Sequence, residues 1–159
     1  MYFTEGKHDS VFINEMARIP NKKIRCLYGK SEVIRRLAKG GGNFTGVVDE
    51  DPGKHKPKKF REFTLLESLE ALSVDVRQYR SSGNILIIIK PNLAEWILEV
   101  SKKNKIDVKV YGFSRDPKEF HNEINQKLEG FRKLICDLKE NSREIAELEK
   151  VIRKYSADP

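Results

Sequence analysis

Two short acidic clusters carry the candidate chemistry: Glu5 with Asp9, separated by Gly6-Lys7-His8, and Asp49 with Asp51, separated by Glu50. Each follows a run of strand-forming residues, positions 1–4 before the first and 44–48 before the second. If those runs are neighbouring strands of a parallel sheet, their carboxyl ends share the edge where ligands of open α/β folds bind. Glu5, Asp49 and Asp51 then converge despite their distance in sequence. Like charges at close range raise one another's pKa, so such a group stays ionised only around a cation. Oxygen-only ligation, with no cysteine nearby and no histidine required, points to magnesium or manganese rather than zinc. A plainer reading competes. Asp49 and Asp51 also suit a turn ahead of Pro52 and Gly53, and Glu5 with Asp9 suit the start of a helix.

The elements that must position these acids follow from hydrophobic spacing. A helix is predicted over about 9–19, with Phe12, Met16 and Ile19 in register and Pro20 closing it. A short strand over 23–28 precedes a helix capped by Ser31, carrying Val33, Ile34, Leu37 and Ala38, and stopped by Gly40-Gly41-Gly42. The order up to Asp51 is βαβαβ, the pattern of a parallel sheet with right-handed crossovers. Beyond the loop at 52–61, a helix is expected over 63–72 and a strand over 74–79. The uniformly apolar run at 85–89 reads as a strand buried on both faces, followed by a helix bearing Leu93, Trp96, Ile97 and Val100. A last strand is expected over 107–111. Asp116-Pro117 with Glu119 opens a charged helical stretch to 155. In it Leu128, Phe131, Ile135 and Leu138 keep heptad spacing, while Ser142 and Glu149 fall at later core positions.

Charge is unevenly placed. Between Arg18 and Arg61 stand thirteen Lys or Arg and four acids, although the whole chain has a net charge of +7. The loop itself holds Lys54, Lys56, Lys58, Lys59 and Arg61 with no acid among them. Cations around an acidic cluster suit a polyanion gripped by the former while metal sits on the latter. A solvated lysine-rich surface is the alternative.

The motifs resemble a known family. Thr4-Glu5-Gly6-Lys7-His8-Asp9 is similar to the E-G-x-x-D motif that opens a Toprim domain, and Val47-Val48-Asp49-Glu50-Asp51-Pro52 to its D-x-D motif. The likeness spans roughly 1–111 and lies nearest the branch of OLD-type nucleases and ribosomal-RNA maturases. It implies an α/β three-layer sandwich with a mostly parallel central sheet, residues 1–115, and a C-terminal helical extension, residues 116–159, packed on it or mediating self-association. It further implies a magnesium-dependent protein that processes nucleic acid, a nuclease or a related phosphodiester-transfer protein. The alternative is a binding module that grips nucleic acid or a nucleotide through metal without turnover, acting with a partner protein. On this likeness Glu5 is the acid/base glutamate, Asp49 and Asp51 hold magnesium, and Asp9 matches an acid of the two-metal nucleases. Lys90, at the end of the isoleucine strand, is placed to neutralise a scissile phosphate, and the 54–61 loop to contact others. No topoisomerase tyrosine domain, zinc module or ATPase domain accompanies the motifs.

Composition excludes several classes. Hydrophobic residues make up 38% and charged residues 35%, the balance of a globular domain rather than a disordered chain. No apolar run reaches the length of a membrane span, and the first nine residues lack a signal core. Two cysteines, Cys26 and Cys136, frame neither a disulfide scaffold nor a zinc site. A cytoplasmic protein with a nucleic-acid partner, DNA or RNA, no membrane contact and a possible homodimer through its C-terminal helices is expected. The acidic site and those helices are expected to be separable, so that removing 128–159 leaves metal affinity nearly intact.

Overall fold

The computed structural model describes residues 1–156. It is an α/β fold with one six-stranded, mostly parallel sheet and six α-helices. In chain order these are β1 (Tyr2–Thr4), α1 (Lys7–Ala17), β2 (Ile24–Cys26), α2 (Lys30–Ala38), β3 (Thr45–Asp49), β4 (Phe63–Leu69), β5 (Val74–Tyr79), β6 (Ile85–Ile89), α3 (Leu93–Lys103), α4 (Pro117–Gln126), α5 (Leu128–Asn141) and α6 (Arg143–Lys154). The strand order is β2-β1-β3-β6-β5-β4. Strands β2, β1, β3 and β6 run parallel, whereas β5 is antiparallel to both β6 and β4.

The chain leaves β1 towards β2 on one side and returns to β3 on the other, so β1 lies where the order reverses. With crossovers of one hand, such a reversal sends successive helices to opposite faces. Packing agrees. Phe12, Ile13 and Met16 of α1 share a core with Val47, Ile87 and Ile89, while Val33, Ile34 and Leu37 of α2 pack with Phe3, Val48 and Leu86. All five side chains of β6 are buried because alternate residues feed the two cores. Helix α2 comes very close to β3 at Gly46, where a Cβ would stand 2.7 Å from Val33 Cγ1 and 2.8 Å from Leu37 Cδ1.

Three expectations are corrected. Residues 63–72 form no α-helix: β4 pairs with β5 from Phe63↔Tyr79 to Leu69↔Val74, with a bulge between Leu65 and Glu67, and only Glu70–Leu72 turns helically. Leu, Glu and Ala favour helix intrinsically, but pairing beside an already buried β5 outweighs those small preferences. Residues 107–111 form no strand. Val108–Tyr111 is a 3-10 turn begun by Asp107 Oδ1, which accepts the Lys109 N–H at 3.1 Å. Strand alternation puts Val108 and Val110 on one face, yet Val108 is buried and Val110 is 79% exposed. Finally, the tail, whose pattern suits either a helix pair packed on the sheet or a short dimerising coil, is three helices. Ser142 is no heptad core residue but the cap of α6, its Oγ accepting the Ile145 N–H at 3.2 Å.

Helices α4–α6 are integral to the larger core. Phe120, Ile124, Phe131, Leu134, Ile135, Leu138, Ile145, Leu148 and Ile152 are fully buried there alongside α1 and α3. Among the described residues no helix is long and apolar enough to cross a membrane.

Candidate metal centre

Because β1 and β3 are adjacent and parallel, with Thr4 opposite Val47, the residues leaving their carboxyl ends meet. Glu5 follows the last residue of β1 and Asp49 is the last residue of β3. The chain after β3 is pinned to the exit of β6, with Glu50 N–H donating to Ile89 O and Asp51 N–H to Pro91 O, both at 2.9 Å. Asp51 then takes a left-handed conformation (φ 47°) and turns the chain away. One carboxylate oxygen each from Glu5, Asp49 and Asp51 lies within 4.8 Å of the others.

Two of these carboxylates also do structural work. Glu5 Oε2 accepts the Asp49 backbone N–H at 3.1 Å, and Asp49 Oδ1 accepts the Leu93 N–H at 2.8 Å, at the start of α3. Burial pushes the Glu5 carboxyl up to about 8, helped by the charge of Asp49 and opposed by the hydrogen bond from Asp49 N–H. Asp49 is pushed up to about 6, again chiefly by burial, with the Leu93 N–H pulling down and Asp51 pushing up. Glu5 and Asp49, two buried acids that resist ionising together beside Asp51, fit a divalent cation as their missing partner. The donors are all carboxylate oxygen, and oxygens across an octahedral magnesium lie about 4.2 Å apart at its usual bond length. The set therefore has the composition and spacing to hold a metal ion.

The other expected residues are distributed more widely. Asp9 is buried at the edge of the cluster but is not one of its three members. Its Oδ2 accepts the Gly6 N–H at 2.8 Å, closing the first turn of α1, and burial holds its pKa well above the usual carboxylate range. Lys90 Nζ sits 3.1 Å from Asp75 Oδ1, so its ammonium is engaged with β5. In the loop, Lys54, Lys56, Lys58, Lys59 and Arg61 are all exposed. Lys54 Nζ stands 4.0 Å from Asp51 Oδ1, Lys56 lies over the Phe60 ring, and Lys59 pairs with Glu62 at 3.4 Å.

Sequence reasoning missed two participants, Lys30 and His8. Lys30, the first residue of α2, is largely buried and places Nζ 3.0 Å from Asp51 Oδ2 and 3.2 Å from Glu50 O. Its position in the turn that follows β2, a strand neighbouring β1, was the available signal, since that strand ends at the same sheet edge. His8 is buried between Asp9 and Asn125, and its ring meets His121. Over a hundred residues separate His8 from α4, and nothing in local spacing announces their meeting.

Comparison with protein-family models, curated proteins and solved structures finds no match to this chain.

Proposed function

We propose that the chain is a Toprim-type three-layer sandwich that uses magnesium, or manganese, to process nucleic acid by phosphodiester hydrolysis or a related transfer. The observation that supports this reading is the convergence of Glu5, Asp49 and Asp51 at the shared carboxyl edge of β1 and β3. A cation bound there would stabilise the attacking and leaving oxygens of an in-line displacement. Asp49 and Asp51 hold that cation, kept in place by the start of α3 and by Lys30 respectively. Glu5, the third carboxyl of the cluster, is the acid/base group of this reading. The exposed cations of the 54–61 loop adjoin the cluster through Lys54 and are suited to phosphates on either side of the reacting one.

A second reading, metal-dependent binding of nucleic acid or a nucleotide without turnover, is favoured by one feature. Lys90, the cation placed to meet a scissile phosphate, is instead paired with Asp75. The two readings separate on labelled single-stranded DNA and RNA incubated with magnesium or manganese. Hydrolysis predicts that Asp49→Asn with Asp51→Asn abolishes both metal binding and cleavage. It also predicts that Glu5→Gln keeps oligonucleotide affinity but slows cleavage by about a hundredfold or more. Cleavage unchanged in the double variant overturns the metal site; no cleavage by any sample, with metal-dependent binding intact, leaves the binding module.

The loop is tested separately. Replacing Lys56, Lys58 and Lys59 by alanine should weaken oligonucleotide binding and lower its salt slope by about 0.9 for each B-DNA phosphate the loop no longer neutralises. Unchanged affinity and slope would show a merely solvated surface.

A further inference from the structure

A narrow cleft adjoins the acidic cluster on the face of the sheet that α2 covers. Its floor follows one register line, Val48 of β3 opposite Ile88 of β6 and Ile88 opposite Asp75 of β5. Arg77 stands two residues along β5 and so on the same face. Lys30, at the start of α2, forms a wall, and Lys56 and Phe60 close the cleft from the loop after β3. Asp49 of the cluster lines it too, and Lys30 Nζ reaches Asp51 Oδ2 at 3.0 Å, so cleft and cluster share a boundary. The acids here are mostly answered from within. Asp75 Oδ1 takes Ser68 Oγ at 2.7 Å and Lys90 Nζ at 3.1 Å, and Asp49 Oδ1 takes the Leu93 N–H. Only the Glu50 carboxylate on this boundary has no partner among the described residues. Two of the cations are less well matched. Lys56 pairs with no acid among the described residues, its Nζ lying 4.7 Å from the Phe60 ring centroid. Arg77 lies over the same ring, Cζ 4.9 Å from the centroid, and gives Nη1 to the neutral Phe63 carbonyl at 3.2 Å. Its Nε is buried with no partner, a costly state for a charged donor.

We propose that this cleft binds a phosphate monoester, the terminal phosphate of a nucleic-acid strand, through Arg77 and Lys56, with the strand leading past Asp49 to the acidic cluster. The inference rests on the phosphodiester reading above and narrows its substrate to strands with a phosphorylated end. Chemistry and size both point this way. A guanidinium with a donor to spare is the side chain best shaped for a phosphate oxyanion, and an ammonium beside it adds a second charge-assisted bond. A monoester carries a charge of about −1.5 to −2 at neutral pH, more than the single charge of a diester, which suits two cations without acidic partners. The cleft measures about 30 Å³, room for a few water-sized groups. A phosphate inside a strand carries a nucleoside on each side, and a space this small on a floor of sheet accepts neither. A terminal phosphate carries one nucleoside, which stays outside. A free nucleotide offers the same group, and the experiment separates the two sources.

The test compares single-stranded oligonucleotides of one sequence that end in phosphate or hydroxyl, at the 5′ end in one pair and the 3′ end in another, each labelled at the opposite end. Affinity is read by fluorescence anisotropy with calcium replacing magnesium to prevent turnover. Wild type should bind one phosphorylated end about tenfold more tightly than its hydroxyl counterpart. Arg77→Gln should abolish that preference, and Arg77→Lys, which keeps the charge but loses the fork, should restore part of it. Glu50→Gln removes the unpartnered carboxylate and should enlarge the preference. A purely structural Arg77 predicts instead that Arg77→Gln lowers the melting point and weakens phosphate- and hydroxyl-ended strands alike. That result, or equal wild-type affinity for phosphate and hydroxyl at both ends, overturns the inference. A nucleoside monophosphate that competes at the oligonucleotide's own affinity would assign the cleft to free nucleotides and overturn the strand end as its occupant; much weaker competition supports it. The reading beneath fails separately, when Asp49→Asn with Asp51→Asn still binds metal and cleaves normally.

Discussion

Replacing Glu5 by glutamine should raise the melting temperature of the metal-free protein at pH 8.5 by about 10 °C and leave it almost unchanged at pH 4.5. The sign comes from linkage. The Glu5 carboxyl titrates near 4.5 when exposed and near 8 in the fold. Below pH 4.5 it is protonated in both states and costs nothing. Between 4.5 and 8 the unfolded chain ionises while the folded one keeps its proton, so stability falls with rising pH, and above 8 the full penalty is present. A shift of that size corresponds to on the order of 4 kcal/mol at pH 8.5, since each pKa unit is worth about 1.4 kcal/mol. For a domain of this length each kcal/mol moves the melting point by about 2–4 °C. Asp49, raised from 3.8 to about 6, adds a second decline between those limits that Glu5→Gln leaves in place. Glutamine can still accept the Asp49 N–H through its amide oxygen, so the hydrogen bond that Glu5 Oε2 makes survives. Magnesium should act in the reverse sense. It binds the ionised cluster, so it should raise the wild-type melting point strongly at pH 8.5 and weakly at pH 5, with protons released on binding. Scanning calorimetry at three pH values, with chelator or magnesium, measures all of this. A wild-type melting point in chelator that is the same at pH 5 and pH 8.5 would remove the basis for the strained acidic site.

How much of this is legible from residue order depends on the range of the interactions involved. Strands β1, β3 and β6 and helix α3 declare themselves through local pattern: short strand-forming runs, an unbroken apolar stretch rich in isoleucine, and apolar residues at helical spacing. Glu5, Asp49 and Asp51 are readable because a parallel sheet turns chain position into spatial position at its carboxyl edge. Strand β4 is not, because its Leu-rich, Glu-containing composition suits a helix and only the partner β5 decides otherwise. Lys30 opens α2 beyond β2, the neighbour of β1, and no local pattern announces that its ammonium reaches the chain after β3. Asp9 satisfies its plainer reading. The hydrogen bond from Gly6 N–H is what a helix-start acid does, and the other carboxylate oxygen lies 3.5 Å from His8 Nε2. The meeting of His8 with His121 and Asn125 depends on how α4 docks, a tertiary event without a local signature.

That docking bears on the expectation that removing 128–159 leaves metal affinity nearly intact provided the sheet still folds. Deleting 128–159 should yield a chain that does not fold cooperatively, and metal affinity should be lost with the fold. The deletion takes away seven side chains that are fully buried: Phe131, Leu134, Ile135, Leu138, Ile145, Leu148 and Ile152. At about 1.5–3 kcal/mol for each buried side chain, the loss is roughly 10–20 kcal/mol. Compactness of the denatured chain trims such sums by about 10–40%, yet the remainder still rivals the whole stability of a typical domain, about 5–15 kcal/mol. Phe12, Ile13 and Met16 of α1, all fully buried in the same core, would face water. Helix α1 begins two residues after Glu5, so its loosening reaches the cluster directly. A milder perturbation separates folding from ligation. Phe131→Ala should cost about 3–5 kcal/mol by leaving a cavity, without touching any carboxylate, and should leave metal affinity of the folded fraction unchanged. Circular dichroism, light scattering and metal titration on the same samples give the answer. A deletion variant that is monomeric, melts cooperatively and binds magnesium as tightly as the full chain would show that β1–β6 with α1–α4 build the site alone, and that α5 and α6 are a dispensable cover.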